Sequence, residues 1–215
     1  MDGLSDWVAF GRAFVRVLRD SEQTGEIHKV EELTGRAIHR RLARGGAMEQ
    51  LLATRPELRS REVDFDQLRA LGPGTLGASY VGHLDRNGLN ADSQAAPTTL
   101  IDDPDEAYVV RRFRQTHDVW HALVELGTSG HEEVLLHAFS WGQLRLPVSA
   151  LVVIFGSVKH MVLEGRWRAF RHGLWEAYRA GRDAEPLMPV VWEDLWHVSL
   201  VDVRARYNVR PLRAN

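Results

Sequence analysis

The sequence predicts an all-α fold: one helical domain over residues 1–215, of roughly seven to nine helices, with a metal site between two adjacent helices. Three observations carry that expectation. Apolar residues recur at intervals of three and four along most of the chain, as they do on the buried face of a helix. Helix starts and stops punctuate these runs. Nowhere does an alternating run turn back on a second one, as a hairpin would require. With 215 residues, one core can bury about 70 % of the surface that the unfolded chain exposes.

Taken in order, residues 4–19 form a helix with Trp7, Phe10, Phe14, Val17 and Leu18 inward, and a second runs from Ile27 to Ala43 before Gly45-Gly46. The charged residues of that second segment read as a solvated face, with an anionic partner as the alternative. A short helix, Met48 to Ala53, is stopped by Thr54-Arg55-Pro56, and Phe65, Leu68 and Leu71 offer one more helical face. Gly72-Pro73-Gly74-Thr75-Leu76-Gly77 lacks both the preceding strand and the Gly-Lys-Ser/Thr of a phosphate loop. It is better read as a turn, then a helix from about Thr75 with Ala78, Val81 and Leu84 on one face, ending near Gly88. Residues 88–103 read as a surface connection.

The longest helix comes next. Asp103 can cap it, Pro104 suits its first position, Glu106 stands where a capping-box carboxylate belongs, and Gly127 is the expected left-handed stop. Ala107, Val110, Phe113, Trp120 and Val124 make an apolar stripe in which His117 and His121 fall four apart, so both imidazoles point inward from one face. Asp118 lies about 100° around from His117. After the turn Gly127-Thr128-Ser129-Gly130, a helix to about Leu146 carries Glu132 and Glu133 in its first turn. Residues 148–180 follow as one long helix or two, with Gly156, Gly165 and Gly173 as candidate breaks, and a last helix runs from about Val191 to Tyr207.

Two inward histidines one turn apart, with carboxylates returning on the next helix, are what a divalent cation needs. Imidazole nitrogens and carboxylate oxygens suit zinc, iron, cobalt, manganese or magnesium. The plain structural reading is that the histidines are core residues and the glutamates complement a helix N-terminus. The pairs His160/Glu164 and Glu193/His197 are spaced for a second site, though such pairs are more often surface ion pairs. Several classes are excluded. A cysteine count of zero removes disulfides, thiolate sites and thiol nucleophiles. A net charge of −2 argues against a general nucleic-acid binder. There is no His-Glu-x-x-His, no Gly-x-Ser-x-Gly, and no paired Glu-x-x-His of a di-iron bundle. The longest apolar run, Val148 to Phe155, is short of the ~20 residues of a spanning helix, and the N-terminus carries no export signal. The expected location is cytoplasmic, peripheral to the inner face of the cell membrane.

The segment His117-Asp118-Val119-Trp120-His121, followed by 11 residues and then Glu133, resembles the HDxxH-x11-E zinc motif of the coenzyme Q (ubiquinone) biosynthesis protein four family. The resemblance covers about residues 60–208 and includes Leu76-Gly77 with Tyr80, Ala107 to Arg114, Leu144 to Pro147 and the tryptophan-bearing C-terminal segment. It implies zinc held by His117, Asp118, His121 and Glu133, the same residues with Arg114 being catalytic. His137 departs from the pattern, since relatives often place a lysine there. The implied reaction is removal, in an oxidative form, of the ring carboxyl group of a polyprenylated 4-hydroxybenzoate-derived ring. Arg114, on the metal-facing side of its helix, would hold the substrate carboxylate; its alternative role is to cover apolar surface and pair with Asp118 or Glu133. The implied partners are a prenylated aromatic or isoprenoid lipid, a membrane surface, other ubiquinone-biosynthesis proteins and a second copy of the chain. Leu151, Val152, Phe155, Val158 and Val162 would form the apolar entrance, flanked by Arg166, Arg168 and Arg171; a plain core helix is the competing reading. Two other functions fit the same residues: a non-catalytic prenyl-lipid-binding organiser, or a metal-dependent hydrolase of another prenyl compound.

Overall fold

The computed structural model describes residues 46–95, 98, 101–164 and 167–212, and within these the side chains of 94, 95, 155 and 158–170 lie outside the description. The helices expected over 4–19 and 27–43 fall outside the described residues. So do the side chains of Phe155, Val158, His160, Val162, Glu164, Arg166 and Arg168.

Within the described residues the chain is all-α. It forms α1 (Gly46–Thr54), α2 (Phe65–Ala70), α3 (Leu76–Asn87), α4 (Pro104–Val124), α5 (Gly130–Leu144), α6 (Pro147–Glu164), α7 (Trp167–Asp183) and α8 (Leu200–Tyr207). Short 3-10 turns lie at Ala91–Ala95 and Trp192–Leu195. The extended pairing is an isolated bridge, Thr75 to Ser199.

Helix α4 is the axis of the core. Asp103 caps it, accepting from the N–H groups of Asp105 at 2.9 Å and Glu106 at 3.0 Å, with Pro104 in the first turn. Val109, Val110, Phe113, Val119, Trp120, Leu123 and Val124 are all buried, so α4 is enclosed on nearly every side rather than along one stripe. Such a helix must also bury polar groups, the largest of them arginines, and Arg112 is completely enclosed. Its guanidinium donates to both carboxylate oxygens of Glu193, at 2.7 and 2.8 Å, and to the carbonyls of Pro56 and Val190, each at 3.2 Å. This removes Glu193 from the suggested Glu193/His197 metal pair, and His197 itself is exposed.

The stop of α4 differs from the expected one. The left-handed residue is Glu125, at φ 59°, and not Gly127. The reason lies in the C-terminal segment: Arg204 of α8 donates to the Leu123 carbonyl at 2.8 Å and pairs with the Glu125 carboxylate at 2.8 Å, while the Leu212 N–H bonds the Val124 carbonyl. These contacts satisfy the last carbonyls of α4 and offset the modest cost of a non-glycine left-handed residue.

The expected single helix from Val191 to Tyr207 is instead two pieces. Between them, the carbonyls of Trp196 and Val198 accept from Gly77 and Leu76, and the Leu200 N–H donates to Gly74. Backbone pairing with the start of α3 thus replaces one turn of helix. Trp196 stacks on Tyr80 across this junction, ring centroids 5.4 Å apart.

Helix α5 packs against both α6 and α7. Gly156 and Gly173 do not break their helices; they face Val134 and Leu135 of α5. The closest approaches to backbone atoms come at two other glycines. A Cβ on Gly181 would stand 2.0 Å from the Phe139 carbonyl oxygen, and one on Gly142 would stand 2.4 Å from that of Tyr178. Only hydrogen fits at either position, so α5 and α7 cross almost backbone to backbone.

Candidate metal centre

The C-terminal half of α4 and the first two turns of α5 meet at His117, His121, Glu133 and His137, and α3 closes the far side with His83. The turn between α4 and α5 fixes the register. Glu132 accepts from the N–H groups of Gly127 at 2.8 Å and Ser129 at 3.3 Å, forming the capping box. With Glu132 committed there, Glu133 is the carboxylate that turns to the histidines. Its Oε2 lies 3.4 Å from His117 Nε2, and its Oε1 lies 3.2 Å from His121 Nε2.

The four imidazoles stand in a row. Ring centroids are 4.9 Å apart for His83 and His121, 4.8 Å for His121 and His117, and 5.6 Å for His117 and His137. Asp118, buried one residue after His117, shares a group with His83 and His121 in which one donor atom of each lies within 4.8 Å of the others. His117, Glu133 and His137 form a second group meeting the same limit. The structure therefore unites His117 with Glu133 and His121 with Glu133, and places Asp118 beside His121 and His83. Arg114 is buried on α4, three residues before His117.

His83 is the site residue that sequence reasoning missed. Nothing in its own stretch marks it, because its partners lie on another helix. Its signal was weaker: it falls at helical spacing with the buried Leu76 and Tyr80, a polar side chain on an apolar face. His137, which the sequence offers as a departure from the family pattern and at most as a support behind the ligands, belongs to a donor group with His117 and Glu133.

The electrostatics suit cation ligands. Burial, aided by neighbouring His121, pushes His83 down to about 4, and burial with His117 pushes His137 down to about 3, so both rings are neutral near pH 7. Burial works to raise the Glu133 carboxyl, but the adjoining His117 and His121 imidazoles prevail and hold it well below the usual carboxylate range. Asp118 is pushed up by burial, against the pull of the two histidines.

Hydrogen bonding among the described residues leaves these rings incomplete. His83 Nε2, His137 Nδ1 and both ring nitrogens of His121 are buried without a hydrogen-bond partner, the Glu133 contact lacking the alignment of one. An orphaned buried donor or acceptor costs about 1–3 kcal/mol, and several in one place call for a shared partner. Nitrogen and oxygen donors around such a space fit a divalent cation. A cavity of about 460 Å³ leads to the site, lined by Ser79, His83, Arg86, Asn87 and His121 among others.

Residues 4–213 match the family described as coenzyme Q (ubiquinone) biosynthesis protein Coq4. The ubiquinone biosynthesis protein COQ4, mitochondrial, of Coprinopsis cinerea is 31 % identical over 160 residues, 74 % of this chain and 54 % of that protein. The corresponding protein of Pyrenophora tritici-repentis is 35 % identical over 162 residues, again 74 % and 54 %. The COQ4 homolog 1 of Culex quinquefasciatus is 32 % identical over 179 residues, 83 % and 64 %. The chain thus spans between about half and two thirds of the length of these relatives. The fold matches the crystal structure of a putative ubiquinone biosynthesis protein from Nostoc punctiforme, with a TM-score of 0.76, 22 % identity and coverage of 92 % of this chain and 95 % of that one. A helical core closed around a histidine and carboxylate cluster, and matches along nearly the whole chain, lead to one assignment: the chain belongs to the coenzyme Q (ubiquinone) biosynthesis protein Coq4 family.

Proposed function

We propose that this protein is a metal-dependent lyase of ubiquinone biosynthesis that decarboxylates, in an oxidative reaction, a polyprenylated 4-hydroxybenzoate-derived ring. The observation that carries the reading is the cluster of buried imidazole nitrogens without hydrogen-bond partners around the Glu133 carboxylate, in a chain of this family. His117, Asp118, His121 and Glu133 would hold the ion, zinc being the first candidate for their donor set. When bound, the ion supplies a Lewis acid that steadies the negative charge developing on the ring as carbon dioxide leaves.

The chain's own residues do the rest. Arg114 positions the substrate carboxylate, a bidentate task that suits a guanidinium. His83 and His137 remain neutral near pH 7 and add no positive charge of their own. In the oxidative form, the ring carboxylate, dioxygen, two electrons and three protons yield the hydroxylated ring, carbon dioxide and water, the electrons coming from a cellular reductant. The isoprenoid tail is assigned to the apolar groove of about 360 Å³ bounded by Trp141, Val153, Ile154, Leu174, Trp175 and Tyr178. Its support is that Ile154 and Trp175 are exposed, and that Trp141 lies two turns along α5 from Glu133. No helix among the described residues is long and apolar enough to cross a membrane, so such a lipid would be reached by docking at the bilayer surface.

The test is turnover by the purified full chain. A prenylated 4-hydroxybenzoate carrying its label in the carboxyl carbon should release labelled carbon dioxide, and His117→Ala should abolish the release. Tight binding of the lipid without release would replace the enzyme by an organiser that presents the intermediate to other proteins of the pathway. Release of phosphate or an alcohol from another prenyl compound would point to a hydrolase.

A further inference from the structure

We propose that the pocket is a dinuclear site, in which His83, Asp118 and His121 take one divalent cation, His117 and His137 take a second, and Glu133 bridges the two. The proposal rests on reading the pocket as a metal centre and goes beyond it by adding His83, His137 and a second ion.

Three independent observations support it. The donor atoms fall into two groups of three, and each group is compact enough for one ion. The carboxylate of Glu133 is shared between the groups, Oε2 at 3.4 Å from His117 and Oε1 at 3.2 Å from His121, the arrangement of a bridging ligand. The imidazoles at the two ends of the row are also the ones that a single central ion serves worst. His83 Nε2 and His137 Nδ1 are buried without hydrogen-bond partners on either side of the His117–His121 pair. With one ion between His117 and His121, both end rings would keep their unpaired nitrogens. Two ions about 3.5–4 Å apart, as in other paired sites, would engage the whole row.

The charge balance names the ligand that such a pair would take. Two divalent cations against Asp118 and Glu133 leave an excess of two positive charges. An aromatic substrate carrying a carboxylate and an ionised hydroxyl brings the matching two negative charges, through the cavity that opens at His83 and His121. The ions belong to the borderline class that imidazole and carboxylate share, such as zinc, cobalt, manganese or iron.

Metal stoichiometry decides it. Full-length protein stripped with chelator and reloaded with zinc should carry two ions per chain by native mass spectrometry. His83→Leu and His137→Leu should each carry one, with unchanged helical circular dichroism. Wild-type protein loaded with manganese should show the exchange-coupled electron paramagnetic resonance spectrum of a pair, a readout that needs no variant to fold. One ion per chain with an uncoupled manganese spectrum overturns the dinuclear site and leaves the metal reading intact. No bound ion at all overturns both. Two ions in wild type and still two in both variants place the second ion elsewhere and also overturn the proposal.

Discussion

Arg112→Met removes a buried cation while keeping the volume of its stem, and its cost can be worked from the contacts. The wild-type guanidinium makes four hydrogen bonds: two to Glu193, at 2.7 and 2.8 Å, and one to each of the Pro56 and Val190 carbonyls at 3.2 Å. The Pro56 carbonyl keeps the Tyr108 hydroxyl, which donates to it at 3.0 Å, so that loss is mild. Glu193 and the Val190 carbonyl lose these partners. Breaking a buried ion pair from one side costs about 3–5 kcal/mol. The Glu193 side chain is 20 % exposed, so water recovers part of that. The lower end, about 3 kcal/mol, is therefore expected, or a fall in Tm of roughly 6–12 °C. Arg112→Met/Glu193→Leu should recover most of the loss, because both charges go together. Urea denaturation followed by far-ultraviolet circular dichroism measures all three proteins. A loss below about 1 kcal/mol for the single variant, or a double variant no better than the single, would refute the reasoning.

Other outcomes follow from the same contacts. Glu132→Ala should cost about 1 kcal/mol of stability through the lost capping box and leave metal binding unchanged, whereas Glu133→Gln should weaken metal binding, though less than His121→Ala; metal analysis beside urea melts separates the two, and a larger metal loss in Glu132→Ala would reverse their roles. Gly181→Ala should cost more than about 3 kcal/mol, since its Cβ would stand 2.0 Å from a carbonyl oxygen of α5, and a variant as stable as wild type would contradict the crossing described for α5 and α7. The metal-free protein should weaken in acid. His83 and His137 titrate in the folded chain at about 4 and about 3, below the ordinary histidine value, so the stability they lend is complete above about pH 6.5 and is lost as pH falls toward those values. Glu133 acts in the same direction at lower pH, and Asp118, raised by burial, acts against it. A net loss of about 2–4 kcal/mol between pH 7 and pH 5 is expected from urea midpoints in chelator, and a flat or rising midpoint would contradict the burial of neutral rings.

Local chemistry made much of this legible. The start of α4 was readable because Asp103 and Pro104 each act within one turn, and Thr75 and Gly88 bound α3 for the same reason. His117, His121 and Glu133 were readable because two residues share a helix face and the third returns after a short turn. What stayed hidden depends on contacts between distant segments. The left-handed residue is Glu125 because Arg204 and Leu212 hold the end of α4, and neither adjoins it in sequence. The last helix divides at Trp196–Ser199 because its backbone bonds the start of α3. His83 joins the site across a helix interface, which no spacing within one segment encodes.

The central question is whether a divalent ion occupies the space between α3, α4 and α5. Crystals of the full chain loaded with zinc, measured on both sides of the zinc absorption edge, answer this directly. An anomalous peak is expected within about 2.0–2.2 Å of His121 and Glu133, absent in His121→Ala crystals of the same form. Well-ordered wild-type crystals with no peak at these residues, or with the zinc bound only elsewhere on the chain, would contradict it.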